Sequence, residues 1–266
     1  MKLSLIITTF DRPDALACVL RSVERQSNLP EELAIADDGS GSATREVVAD
    51  FRTHFARPVT HCWQPHDGFR ACRARNLALS RVTGDYIVIL DGDMVMHAQF
   101  IADHRHFARA GHWVQGTRIL LDARRTTKLL KSGPRDLSPW SAGIGGLRRL
   151  YALHAPPLSD QLSQVANAFV ATKSCNLAAW RVDLERVNGF NEDMIGWGPE
   201  DKELAARLET SGVRRRTLVF GGIAYHLAHP PASREHRAAN EGILADTLRL
   251  GRVRCDHGLD GHPRRE

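Results

Sequence analysis

Four apolar runs, LSLIITTF, ELAIADDGS, VTHCW and YIVIL, alternate with stretches of helical spacing over the first ninety residues, and this alternation leaves the chain few folds to choose from. Pro13 sits in the first turn of the first helical stretch, where Leu16, Val19, Leu20 and Val23 share a face and Asp11 is the expected cap. Val47, Val48, Phe51 and Phe55 mark the second, and FRACRARNLALS the third. Repeated β-α-β units bury their strands on both faces of a parallel sheet with right-handed crossovers. The expected class is therefore α/β, a Rossmann-like mixed, mainly parallel sheet flanked by helices. No GxGxxG follows the first strand, so the dinucleotide fingerprint is missing and phosphate must be held by another device.

The 266 residues are 42% hydrophobic and 25% charged, enough apolar material for a sizeable core. A net charge of +5 favours an anionic partner, but no helix-turn-helix, zinc-finger or aromatic-basic pattern accompanies it, which argues against nucleic acid. Five cysteines without a CxxC pair indicate free thiols rather than a disulfide framework or a zinc site. MKLSLIITTF reads as a first strand rather than a signal peptide, because it runs into Asp11, Arg12 and Pro13 without a small-residue cleavage site. No apolar run reaches the 18 or so residues of a membrane helix. The expected location is the cytoplasm, with peripheral contact at the inner face of the cell membrane.

The strand-helix pattern breaks between about 118 and 160. Between Arg118 and Arg149 there are eight Lys or Arg against two Asp, alongside Gly133, Pro134, Pro139 and a GIGG run. A solvated loop is one reading of this segment; a lid or a docking surface for an anionic acceptor or an acidic membrane is the other. Order returns with CNLAAW as a strand, VDLERVNGF as a helix closed by Gly189, a helix opening at Pro199, and a last strand TLVFGGIAYHLAH. This divides the chain into 1–115, 116–165 (the basic insertion), 166–250 and a polar tail at 251–266.

YIVIL ends in Asp91-Gly92-Asp93, at the strand end where open α/β sheets bind ligands. Carboxylates two apart on a strand point the same way, and Gly92 lets a ligand approach the backbone. Such a hard oxygen pair suits Mg²⁺ or Mn²⁺ carrying a diphosphate. His226 or His229 could add an imidazole, which favours Mn²⁺. Glu200 and Asp201 fall in the first turn of a helix, after Trp197, a residue that packs well against a sugar ring. The helix N-terminus favours their ionised forms while burial beside the tryptophan favours the neutral ones.

SLIITTFDRP, ADDGS, DGFRACRARNLAL, GDYIVILDGDM, CNLAAWR with VNGFNED, and GWGPEDKEL together resemble glycosyltransferase family 2 and its GT-A relatives over roughly residues 1–115 and 170–230. The GWGPED stretch is similar to the C-terminal halves of β-1,4-galactosyltransferases and chondroitin-type polymerases. The resemblance implies inverting transfer from a nucleotide-diphosphate sugar, most often UDP-linked, with a divalent metal. It implies nucleoside contacts at Thr8 and Asp38, with Asp67, Arg73, Arg75 and Asn76 lining the same pocket. Asp91 would lie near the ribose and metal, and Asp93 would bind the metal directly with His226 or His229. Asp201 would be the catalytic base and Glu200 the neighbour that holds the acceptor. Pro199 departs from the family pattern, which often has glycine there.

IVILDGDMV also fits a haloacid-dehalogenase-like phosphatase with Asp91 as nucleophile, but that motif belongs on a first strand and here follows the fourth. A sugar-nucleotide pyrophosphorylase would need a Gly- and Lys-rich loop where DRPDAL stands. A non-catalytic carbohydrate-binding protein is the third alternative. The partners implied are a nucleotide sugar and a glycan or glycolipid acceptor, such as lipopolysaccharide core or capsule.

Overall fold

The computed structural model describes residues 1–145, 147–163, 172–230 and 233–263, with the expected boundary at 165/166 outside them. The elements run β1 (Leu3–Thr9), α1 (Pro13–Glu24), β2 (Glu32–Asp37), α2 (Ser42–His54), β3 (Val59–Trp63), α3 (Ala71–Arg81), β4 (Tyr86–Asp91), β5 (Met94–Met96), α4 (Phe100–Phe107), β6 (His112–Gly116) and β7 (Ile119–Leu120). They continue with α5 (Ala123–Ser132), α6 (Pro156–Leu162), β8 (Asn176–Trp180), α7 (Arg181–Arg186), α8 (Glu200–Thr210), β9 (Arg214–Leu218), β10 (Ala224–His226) and α9 (Arg237–Leu250).

Seven strands form the main sheet in the order β3-β2-β1-β4-β8-β6-β9, and β5-β10-β7 form a small second sheet. The first four are parallel, as the β-α-β repetition requires. β8 is antiparallel to both of its neighbours, so its start reaches the edge where the parallel strands end. The apolar runs are continuous because each strand feeds two cores. Leu5, Ile7, Val88 and Leu90 pack under α1 and α2, whereas Ile6, Ile87 and Ile89 pack with residues of α3, α7 and α8 on the other face. Each such side chain contributes about 1.5–3 kcal/mol by leaving water.

Three expectations need correcting. Asp11 does not cap α1: its backbone turns left-handed (φ 40°), and its Oδ1 accepts from the Gly41 amide at 2.8 Å. The 118–160 segment is not one loop. It holds β7 and α5, the latter capped by Asp122, whose side chain accepts from the Arg125 amide at 2.7 Å. TLVFGGIAYHLAH is two strands in two sheets, because Phe220 (φ 59°) and Gly222 (φ 53°) turn the chain between them. All five cysteines are free and buried. Among the described residues no helix is long and apolar enough to cross a membrane.

Candidate functional site

A cleft of about 670 Å³ opens at the carboxyl ends of β1 and β4. Its floor is the turn from β4 to β5. Gly92 donates its amide to the Thr8 carbonyl at 2.6 Å, and a Cβ there would stand 2.7 Å from that oxygen, so only glycine lets the turn lie this close to β1. The Asp91 and Asp93 side chains both line the cleft.

Asp93 meets two imidazoles, His226 at the end of β10 and His229 in the turn that follows it. Its Oδ2 lies 3.1 Å from His229 Nε2 and 3.6 Å from His226 Nε2, and the two Nε2 atoms are 3.2 Å apart. His229 Nδ1 faces the Pro230 carbonyl at 2.6 Å, a contact that places a proton on Nδ1 and leaves Nε2 toward the acid. Converging lone pairs of this kind need a proton or a cation among them, and Asp93 Oδ1 is buried without a partner. The donor set therefore fits a divalent ion that accepts imidazole and carboxylate. Arg12 also reaches Asp93 Oδ2, at 3.1 Å. Burial works to raise the Asp93 pKa, but the His229 hydrogen bond and the charges of His226, His229 and Arg12 bring it below the ordinary aspartate value. Burial pushes His226 down to about 4, and the hydrogen bond to Asp93 pushes His229 up. The turn carrying the histidines is pinned from both sides: Leu227 donates to the Asp93 carbonyl at 2.9 Å, and Ala228 donates to the hydroxyl of buried Thr126 on α5 at 2.8 Å.

Another wall of the cleft is the start of α8. Glu200, Asp201 and Glu203 occupy its first turn, where free amides and the helix dipole favour acids. Burial nevertheless dominates: Glu200 is pushed up to about 7, and Asp201 is raised although the Lys202 amide hydrogen-bonds to it. For both acids burial thus outweighs the helix N-terminus in the direction of the shift. Arg75, from α3, ties the two walls together. It is 3% exposed and reaches Thr8 Oγ1 (3.2 Å), Asp91 Oδ1 (3.1 Å) and Glu200 Oε1 (3.5 Å). Burial, with Asp93 nearby, raises Asp91, and Arg75 opposes this.

Farther along the cleft, Asp38 is buried and satisfied by Gln64 Nε2 and the Arg70 amide, both at 2.7 Å. Thr8, Asp38, Arg75, Asp91, Gly92, Asp93, Trp197, Glu200, Asp201, His226 and His229 all line the cleft. Asp67, Arg73 and Asn76 do not. Asp67 is exposed and pairs with Arg70, and Arg73 binds Gln64 Oε1 at 2.7 Å. Asn76 is sealed in the core, where it holds both the amide and the carbonyl of Phe190 at 2.8 Å. The cleft also contains residues that the sequence reading missed: Arg12, Phe69, Arg118, the stretch 172–175, Arg234 and Arg237. Of these, Arg12 carried a legible signal, since it directly follows the end of the first strand.

The pattern of glycosyl transferase family 2 matches residues 4–140, and that described as the N-terminal domain of galactosyltransferase matches residues 164–230. The chain is 27% identical over 262 residues to a chondroitin synthase of Pasteurella multocida, covering 93% of this chain and 27% of that protein. It is 28% identical over 272 residues to validoxylamine A glucosyltransferase of Streptomyces hygroscopicus subsp. limoneus, covering 98% and 57%. The chain thus spans between about a quarter and three fifths of the length of these relatives. Among solved structures, S. aureus TarS 1-349 in complex with UDP superposes with a TM-score of 0.65 at 14% identity, over 98% of this chain and 68% of that one. The mannosyltransferase PcManGT from Pyrobaculum calidifontis, in complex with GDP-Man and Mn²⁺, gives 0.59 at 17% identity over 94% and 69%. With one family pattern running through more than half of its length, the chain belongs to glycosyltransferase family 2.

Proposed function

We propose that this chain transfers a sugar from a nucleotide-diphosphate sugar, UDP-linked, to a hydroxyl of a glycan acceptor, inverting the anomeric centre. The observation that carries the reading is the convergence on one cleft of Asp93, His226 and His229 from two strand ends and Glu200 and Asp201 from a helix start. Mn²⁺ or Mg²⁺ would be held by Asp93, His226 and His229, and when bound supplies positive charge beside the leaving diphosphate. In this reading the 1–115 half binds the donor, with Thr8 and Asp38 at its nucleoside and Asp91 near its ribose. Asp201 takes the proton of the attacking hydroxyl, and its raised pKa makes it a stronger base than an ordinary aspartate. Glu200, steadied by Arg75, holds the acceptor, and Trp197 packs against a sugar ring. A single displacement needs no covalent intermediate, so no carboxylate has to touch the anomeric carbon.

The acceptor reading, a surface glycan such as lipopolysaccharide core or capsule, draws on the chondroitin and hyaluronan synthases among the relatives. A phosphatase using Asp91 is disfavoured, since Arg75 occupies one of that carboxylate's oxygens. Thermal unfolding with a panel of nucleotide sugars, with and without Mn²⁺, tests the proposal. A UDP-sugar should stabilise the chain by about 2.7 kcal/mol at a hundred times its Kd, in a metal-dependent way, and should be slowly hydrolysed. If no nucleotide sugar at millimolar concentration stabilises the chain or is turned over, the transferase reading is abandoned.

A further inference from the structure

The GWG turn before Glu200 has a structural partner that the sequence did not reveal. Gly196 faces His236, and a Cβ there would fall 2.5 Å from the histidine ring; one on Gly198 would fall 2.6 Å from the Asn240 Cβ. The two glycines therefore let the start of α9 press directly onto the turn. Asn240, 2% exposed, fastens it there through the Ile195 carbonyl at 2.9 Å. The result is that Arg234 and Arg237 stand with their guanidinium carbons 5.3 and 5.8 Å from the Trp197 ring centroid, at the lip of the cleft.

Two cations held near one indole repel each other. Among the described residues only Arg237 has an acid, Glu241, which binds through Nε at 2.7 Å rather than through the Nη groups; Arg234 makes no ion pair among them. Trp197 is 38% exposed, so it still offers surface to a sugar beside these charges. From the strongly basic 118–149 segment, by contrast, only Arg118 lines the cleft among the described residues.

We infer that Trp197, Arg234 and Arg237 form an acceptor subsite for an acidic sugar: the ring packs on the indole, and its oxyanion, a carboxylate or a phosphate, bridges the two guanidiniums. The planar forks match either group through paired N–H donors. The inference rests on the transferase reading only for naming this ligand the acceptor; the binding chemistry stands on the geometry of the lip.

The test is direct binding to the full chain of three oligosaccharides of equal length: neutral, glucuronate-bearing and phosphate-bearing. The Kd of UDP-sugar with Mn²⁺ is read on the same samples. At least one acidic oligosaccharide should bind roughly tenfold or more tightly than the neutral one, and that margin should shrink with added salt. Whichever acidic ligand leads identifies the oxyanion. R234A/R237A should erase the margin while keeping the UDP-sugar Kd within about twofold, and R234K/R237K should restore part of it. Equal binding of neutral and acidic oligosaccharides, or a margin that survives R234A/R237A, overturns the subsite. If nucleotide sugar fails to bind while the arginine-dependent margin persists, the transferase reading fails and the subsite stands.

Discussion

Helix α8 carries two glutamates paired with arginine, Glu203 in its interior with Arg207 of the same helix and Glu200 at its tip with Arg75 of α3, and the two pairs have opposite environments. Arg207 and Glu203 are fully buried, joined at 2.7 and 2.8 Å. Their remaining valences are filled by the Val187 and Gly189 carbonyls and by the Thr247 hydroxyl. Arg75 and Glu200 meet at 3.5 Å on the wall of the cleft, and Glu200 is pushed up to about 7. A saturated pair of this kind fixes the packing of α8 against the 187–189 turn. The looser pair leaves a carboxyl whose protonation changes in the physiological range, which is what a reacting site requires.

The sharpest way to separate the two pairs is to compare chemistry with stability. Asp201→Asn, beside the loose pair, should lower kcat by roughly 10²–10⁴-fold with little change in the unfolding midpoint, read from initial rates and urea titration of one preparation. Arg207→Met should do the reverse, costing about 3–5 kcal/mol of unfolding free energy because it strands Glu203 in the core. Equal destabilisation by both substitutions would erase the distinction.

Arg75→Met should cost about 1–3 kcal/mol, with a pH dependence whose sign is fixed. Without the guanidinium, the folded-state pKa values of Glu200 and Asp91 rise further above their unfolded values. The penalty is therefore largest at high pH and shrinks as pH falls through those raised values. Urea unfolding at pH 8 and pH 6 should show the smaller loss at pH 6. The smallest effect is expected from Glu200→Gln. Removing this neighbouring charge lowers the Asp201 pKa, so the acid limb of the kcat/KM profile should move to lower pH by up to about one unit. An acid limb that stays where it is would mean that Glu200 and Asp201 do not sense each other.

Much of this molecule was legible where chemistry and period coincide. The four parallel strands announce themselves because each feeds two apolar cores, and the acids of DGD and PED stand at a strand end and a helix start. Elsewhere the signals are silent or misleading. Asn76 sits among cleft-forming residues in sequence, yet its amide clamps Phe190, and a Cβ on Gly189 would lie 2.3 Å from its Oδ1. TLVFGGIAYHLAH is largely apolar on both sides of its glycine pair, which hides the turn at Phe220 and Gly222. Helix α9 buries only Asn240 and Thr247, so no hydrophobic stripe marks it. The direction of β8 depends on its partners, not on its own residues, and with it the arrival of Lys173 and Cys175 at the cleft.

The hydroxyl of Thr126 that receives the Ala228 amide gives the basic segment a duty apart from its charge. The spacing of the two imidazoles is gauged by a helix a hundred residues upstream, like a distance piece set between two jaws. A single residue added between Asp122 and Thr126 would rotate the hydroxyl about a quarter turn away and let the jaws drift.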